Sequence, residues 1–360
     1  MSFNDVIGQH HAKGILQRAL QQDRLPHAIL FSGPAGVGKE AMAMELAKAI
    51  FCKTDGERPC DECSNCHRIQ AFQHPDFTFL FPSSAKSIDE ERAVLDSLSR
   101  DAYRRDKPWA APTIGIEQIR ELRRQATIKP LEGRRLVIIA EAERMTIPAA
   151  NSLLKLLEEP PETMHLILTA AKINSMLPTI LSRCQQIRFG PLPDNEIEWA
   201  LVEKHQVPPE KARLIAGMSQ GNFQRALEWL DDSFSERRET ALAFLRTCLK
   251  NPKLQVEFVE ALLKKNDKKY IIDVLNLMLI WFRDALVYHQ SAMETALVNV
   301  DQIETLQKFL GAFETIDFYG ASAEIEQSLA MIDRNIQINL ILIVLMVKLQ
   351  RMMKLKGRSS

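Results

Sequence analysis

Between residues 28 and 170, short apolar runs alternate with stretches of helical periodicity. Residues 28–31 (Ala-Ile-Leu-Phe) are uninterruptedly apolar and run into a glycine-rich turn, which predicts a buried strand. Met42, Leu46, Ala49 and Ile50 then recur at helical spacing and predict a helix over 40–51. The same reasoning predicts strands at 77–81, 136–140 and 166–169. It predicts helices at 116–128 and 149–158, the second stopped by Pro160 and Pro161. Each parallel crossover lays a helix on the sheet, so this alternation argues for an α/β fold with a parallel sheet covered on both faces.

Strand signals fade after residue 192. Residues 194–235 read as short helices and 236–356 as longer ones with few glycines or prolines. Boundaries are expected near 192 and 238, giving a first domain over 1–192, a small helical domain over 193–238 and an all-α domain over 239–360. The polar, charged stretch 83–112 reads as a helical insertion or mobile loop, and no internal repeat is evident. Residues 336–349 are apolar on more than one helical face, the pattern of a deeply buried helix or one awaiting partners.

Composition narrows the class. With 46% hydrophobic and 26% charged residues, the chain has a core large enough to fold without disulfides or metal. Lys+Arg and Asp+Glu each number 46, so the formal net charge is zero. A chain that wraps nucleic acid alone is ordinarily basic, so any DNA contact is expected to be local or shared with partners. No basic stretch followed by an apolar run opens the sequence. The apolar run 340–347, flanked by Asn339 and Lys348, is too short to span a bilayer, so no membrane association and a cytoplasmic setting are expected.

Gly33-Pro34-Ala35-Gly36-Val37-Gly38-Lys39 lies between the first predicted strand and the following helix, the setting of a phosphate loop. There the glycines let backbone N–H groups converge on phosphate oxygens, with help from the lysine charge and the helix dipole. The next position should carry a hydroxyl to hold magnesium, and it carries Glu40. The strand at 136–139 should be followed by an aspartate that orients the metal, and Ala140 follows, then Glu141. Two metal-related positions are lost while the loop is kept. A competent ATPase is therefore not expected, leaving a nucleotide-binding site without hydrolysis or an empty loop kept for its fold.

Cys52, Cys60, Cys63 and Cys66 form C-x7-C-x2-C-x2-C, a spacing that suits a closed, structural tetrahedral zinc site. The bland alternative is four free thiols. His67 is expected outside the ligand set, and Cys184 and Cys248 have no partner at ligand spacing.

Taken together, several segments resemble the AAA+ clamp-loader subunits of bacterial DNA polymerase III. They are Asp5-Val6-Ile7-Gly8-Gln9, His27-Ala28-Ile29-Leu30-Phe31 before the phosphate loop, the four-cysteine insertion, Gln118-Ile119-Arg120, and Pro130-Leu131-Glu132-Gly133. The run from Ala149 through Leu153-Leu154-Lys155 to Glu158-Glu159-Pro160-Pro161 belongs with them, as does 177–184, which ends in Ser182-Arg183-Cys184. The resemblance is dense over 3–191 and only compositional beyond about 235. It implies a AAA+ module with a zinc insertion, a small helical lid and a helical collar. Loss of the hydroxyl and of the strand-end acid resembles the delta-prime branch rather than the gamma/tau ATPases.

That branch implies a stator in ATP-driven loading of a sliding clamp onto primed DNA during replication, with gamma/tau and delta subunits as partners. By the same resemblance Arg183 is an arginine finger acting on a neighbour's ATP site. Thr169 and Arg225 (in Gly221-Asn222-Phe223-Gln224-Arg225-Ala226) match sensor positions. Bland readings stand beside these: Arg183 as a surface ion pair, Arg225 as an ordinary helix arginine. Two rivals remain at this stage, an active gamma/tau-type ATPase and a stand-alone zinc-containing nucleic-acid-binding protein. No polymerase or nuclease site is legible, so a polymerase label would be inherited from the holoenzyme.

Overall fold

The computed structural model describes residues 3, 6–84, 87–105, 108–109, 111–230, 233–291, 297–334 and 336–355. Asp5 of the opening motif lies outside the described residues, as do 85–86, 106–107 and 110 of the polar stretch and 356–360 at the end of the third expected domain. The chain divides into two compact units, one of Met1–Pro208 with Ser219–Leu227, the other of Pro209–Met218 with Glu228–Ser360.

The first unit runs α1 (His10–Gln21), β1 (Ala28–Ser32), α2 (Lys39–Phe51), α3 (Ser64–Gln70), β2 (Phe77–Leu80), α4 (Ile88–Arg100), α5 (Ile116–Ala126) and β3 (Arg135–Ile139). It continues with α6 (Ile147–Glu158), β4 (Met164–Ala170), α7 (Pro178–Leu181), β5 (Gln185–Arg188) and α8 (Asp194–His205). Five strands form one sheet in the order β2-β3-β4-β1-β5, and every pairing is parallel. The central strands β1 and β3 are buried at every position, because helices cover both faces. Alternation along the strands sends Leu30, Val137, Ile139, Leu166 and Leu168 into one cluster with Ile119 and Leu122 of α5 and Leu153 and Leu157 of α6. Truncating any one of these side chains to alanine removes ~2–5 kcal/mol of stability.

The predicted strands and helices of this unit are present, displaced by a residue or two at their ends. The polar stretch contains α4, whose buried Val94 and Leu98 fix one face and whose Ser87 caps its start by accepting the Glu90 N–H. Four elements were not predicted: α1, β5 and the short helices α3 and α7. Only Ala12 and Leu16 of α1 are buried, and only Ile187 of β5, an edge strand.

The second unit is built on α11 (Ser233–Cys248), α12 (Pro252–Lys265), α13 (Lys268–Ser291), α14 (Ile303–Ala312), α15 (Phe318–Asp333) and α16 (Ile338–Met352). Two shorter helices, α9 (Pro209–Ser219) and α10 (Phe223–Glu228), lie where the chain passes from one unit to the other. The second unit also holds a small antiparallel ladder of β6 (Phe313–Ile316) and β7 (Met353–Leu355), an addition to the expected all-helical architecture. Helix α16 buries Ile341, Leu342, Leu345, Met346 and Leu349 but leaves Leu340 and Val344 exposed, so its outer face is apolar too. Among the described residues, no helix is long and apolar enough to cross a membrane.

Candidate functional site

The turn after β1 is the phosphate loop, and it has the conformation that its glycines permit. Gly36 has φ +71°, and a Cβ there would overlap Asn222; a Cβ at Gly33 would overlap the carbonyl of Phe189. Lys39, at the start of α2, donates from Nζ to the carbonyl oxygens of Gly33 (2.8 Å) and Pro34 (2.5 Å). The Gly36 carbonyl accepts the N–H of Phe223 at 3.0 Å. A cleft of about 430 Å³ opens beside the loop, lined by Gly36, Gly38, Lys39, Glu40, Glu141 and Thr169, among others. Thr169, buried at the end of β4, accepts the Glu141 N–H on Oγ1 at 3.1 Å. The fold thus brings together the loop, Glu40 at one altered metal position, Glu141 next to the other, and the strand-end threonine. Gln224 lines the cleft; Arg225 is not among its lining residues.

Sequence reasoning missed the residue at the centre of this cleft. Arg105, with 5% of its side chain exposed, donates from Nε to Glu40 Oε2 (2.9 Å) and from Nη2 to Glu40 Oε1 (3.0 Å). Its Nη2 also donates to Glu141, which pairs with Arg144 at 2.7 Å, and its guanidinium lies 5.7 Å from the centre of the Phe81 ring. Burial alone would lower the Arg105 pKa, but Glu40 and Glu141 outweigh it and raise it. Two residues earlier, the Tyr103 hydroxyl accepts the Ile7 N–H at 2.8 Å and the ring meets Phe223 edge-on at 5.0 Å. A turn at Asp101 presents both side chains: its carboxylate accepts the Tyr103 N–H and its carbonyl the Arg104 N–H, each at 2.9 Å. No motif names Arg105. The available signal was indirect, since two acids placed at a phosphate loop require a counter-cation.

The four cysteines converge as their spacing predicts. Their sulfurs all lie within 4.8 Å of one another, with Cys52 closing α2, Cys63 capping α3 and Cys66 within it. The donor set fits a tetrahedral metal site, and the four can hold a metal ion. Hydrogen bonds from Thr54 and from the backbone N–H groups of Glu62 and Cys63 pull the Cys60 thiol down to about 6, toward the thiolate that a metal needs, while burial pushes the neighbouring Cys66 thiol up. His67 is exposed and outside the cluster. Burial pushes the Cys184 thiol up to about 11, and raises that of Cys248 in the second unit as well.

Glu132, in the turn before β3, ties this module to the sheet. It accepts from Asn65 Nδ2 (2.6 Å) and pairs with Lys53 (3.0 Å). Buried Asp76 holds the turn itself, accepting the N–H groups of Leu131 (3.1 Å) and Glu132 (2.8 Å) beside Arg135 (3.6 Å). Asp76→Ala leaves those donors and the arginine uncompensated, for an expected loss of about 3 kcal/mol. Urea unfolding measures it, and a loss below about 1 kcal/mol would mean that water replaces the carboxylate at little cost.

Arg183 stands apart from the cleft, in the turn between α7 and β5. Its Nη1 donates to the Thr179 carbonyl (3.0 Å), its Nη2 pairs with Glu158 (2.9 Å), and 36% of the side chain is exposed.

Comparison with known proteins accords with this geometry. The profile of a family described as "DNA polymerase III, delta subunit" matches residues 8–193, more than half of the chain. The chain belongs to this family. A second profile of the delta subunit, for its C-terminal part, matches residues 232–350. The DNA polymerase III subunit delta' of Bacillus subtilis is 38% identical over 226 residues, covering 62% of this chain and 60% of its own. The DNA polymerase III subunit tau of the same organism is 31% identical over 333 residues, covering 85% of this chain and 54% of its own. The chain thus spans less than two thirds of the length of these relatives. A solved gamma subunit-related protein of Thermotoga maritima aligns over 94% of this chain and 99% of its own at 16% identity, with a TM-score of 0.44. In this delta-family member a five-stranded parallel sheet, with the phosphate loop following β1, precedes a largely helical C-terminal part.

Proposed function

We propose that the chain is the delta-prime-type stator of a bacterial DNA polymerase III clamp loader, a replication subunit that does not turn over ATP and serves an ATP site on its neighbour. The observation that carries this is the cleft: the loop keeps its shape, while Glu40 and Ala140 stand where metal-assisted phosphoryl transfer needs a hydroxyl and an acid. Arg183 would supply the planar charge that stabilises the transferred phosphoryl group at a gamma/tau subunit's site. Its exposure and distance from the cleft's lining support a role in trans. Zinc held by Cys52, Cys60, Cys63 and Cys66 would be structural, since four thiolates leave no open position for water. Residues 193–238 would form the lid, and 239–360 the collar through which the outer face of α16 joins the other subunits. Delta, the sliding clamp and primed DNA complete the expected set of partners, in the cytoplasm.

The test is reconstitution. The chain is expected to co-elute with gamma/tau and delta subunits, and alone to hydrolyse ATP no faster than background. Magnesium-dependent turnover by the isolated chain that disappears in Lys39→Ala would overturn this reading in favour of an active ATPase.

A further inference from the structure

The Asp101–Arg105 turn places two large side chains over the phosphate loop, and neither belongs to a nucleotide-binding motif. Tyr103 packs so closely on Gly38 that a Cβ there would lie 2.7 Å from its hydroxyl, and Arg105 spans Glu40 and Glu141. Magnesium bound with a nucleotide takes oxygen ligands and several waters in an octahedral shell, and needs carboxylates facing it across open space. Here the two carboxylates beside the loop face each other across a guanidinium held in fork geometry.

We propose that Arg105 is a tethered cation: it fills, from within the chain, the place between Glu40 and Glu141 that a nucleotide-bound divalent ion requires. It thereby sets the specificity of this cleft against magnesium nucleotides. The inference rests on reading the cleft as a phosphate loop without turnover, and it names the side chain that keeps the ion out. Loss of the hydroxyl ligand alone would weaken magnesium binding but leave the space open. Displacing a buried, triply hydrogen-bonded arginine makes entry of the ion ~10²- to 10³-fold less favourable still. The arrangement also accounts for Glu40 itself. A carboxylate facing phosphates is repelled, whereas a carboxylate facing Arg105 is matched. Removing the guanidinium leaves Glu40 facing Glu141, whose other oxygen keeps Arg144, a pair that an oxygen-seeking divalent ion would bridge.

The experiment compares the wild-type full-length chain with Arg105→Ala. Manganese is counted by electron paramagnetic resonance, and ADP binding is followed with a fluorescent ADP in the presence and absence of magnesium. The wild type is expected to bind no manganese at this site and to gain no ADP affinity from magnesium. Arg105→Ala should bind one manganese ion per chain, melt several degrees higher with manganese than without, and hold ADP at least ~10-fold more tightly when magnesium is present. A folded Arg105→Ala chain that binds neither ion nor magnesium-ADP overturns the proposal. So does a wild-type chain that binds magnesium-ADP as well as the variant does.

Should the exposed carboxylate pair unfold the single variant, Glu40→Thr/Arg105→Ala removes one of the two charges and returns a hydroxyl after Lys39. Magnesium-ADP binding by that double variant supports the proposal, and its absence in folded protein refutes it. None of these outcomes touches the role of Arg183 toward a neighbour, which is read in the assembled complex.

Discussion

If Arg183 is the finger proposed above, turnover at the ATP site that it would border is expected to fall by ~10³-fold or more in a clamp loader assembled with Arg183→Ala, the scale on which arginine fingers act. Steady-state hydrolysis by the whole complex should fall only in part, because other sites keep their own arginines, so single-turnover measurement is the sharper readout. The chain itself should keep its fold, its metal and its place in the complex. In the free chain the guanidinium rests on Glu158 and on the Thr179 carbonyl at a partly exposed surface, where such a pair contributes about 0–1 kcal/mol. Those contacts hold the side chain without burying it, so it can be drawn off by a phosphate. Arg183→Lys should rescue poorly, since a point charge cannot grip oxygens from two directions. Clamp loading at the wild-type rate by an Arg183→Ala complex would leave the chain a scaffold only.

Cys63→Ser should abolish stoichiometric metal binding. In the proposed site the four sulfurs would be the whole ligand set, and a hydroxyl is a poor substitute for a thiolate at a zinc ion. Elemental analysis after dialysis against a weak chelator is expected to find one zinc per wild-type chain and almost none in the variant. Protease should then cut within 52–66 first, while the sheet persists. The sheet core is made by Leu30, Val137, Leu153, Leu166 and Leu168, and none of it depends on the cysteine module. Wild-type protein purified without metal and equally resistant to protease would refute the zinc assignment.

The parts of this molecule that were legible in the sequence are those where both faces of an element are buried or where spacing carries chemistry. Residues 28–31 and 136–139 read as strands because nothing polar interrupts them, and the cysteine spacing announced its cluster. Strand β5 escaped because three of its four residues, Gln185, Gln186 and Arg188, face solvent, leaving Ile187 as its whole apolar signal. Helix α1 escaped for the same reason, with two buried residues in twelve. At the site, the loop, Glu40, Ala140 and Thr169 were readable because their positions are fixed relative to strands. Arg105 was not, because it reaches Glu40 from 65 residues away through a turn whose conformation depends on tertiary packing. The ladder of β6 and β7 likewise pairs segments distant in sequence, and neither is long enough to show a period of two.

The inward fold of Lys39 has a mechanical consequence. Its ammonium ties the start of α2 to the carbonyls of Gly33 and Pro34, and the Gly33 N–H is in turn hydrogen-bonded to the end of β4 at Ala170 (3.2 Å). The Ser32 carbonyl just before the loop accepts the Phe189 N–H at 2.7 Å, fastening the exit of β5, the strand that starts two residues after Arg183. The loop is therefore a keystone: three strand ends and one helix start are locked around it, and the turn that carries Arg183 inherits their stiffness. A glycine-lysine spelling that elsewhere grips a phosphate acts here as a tie rod as well.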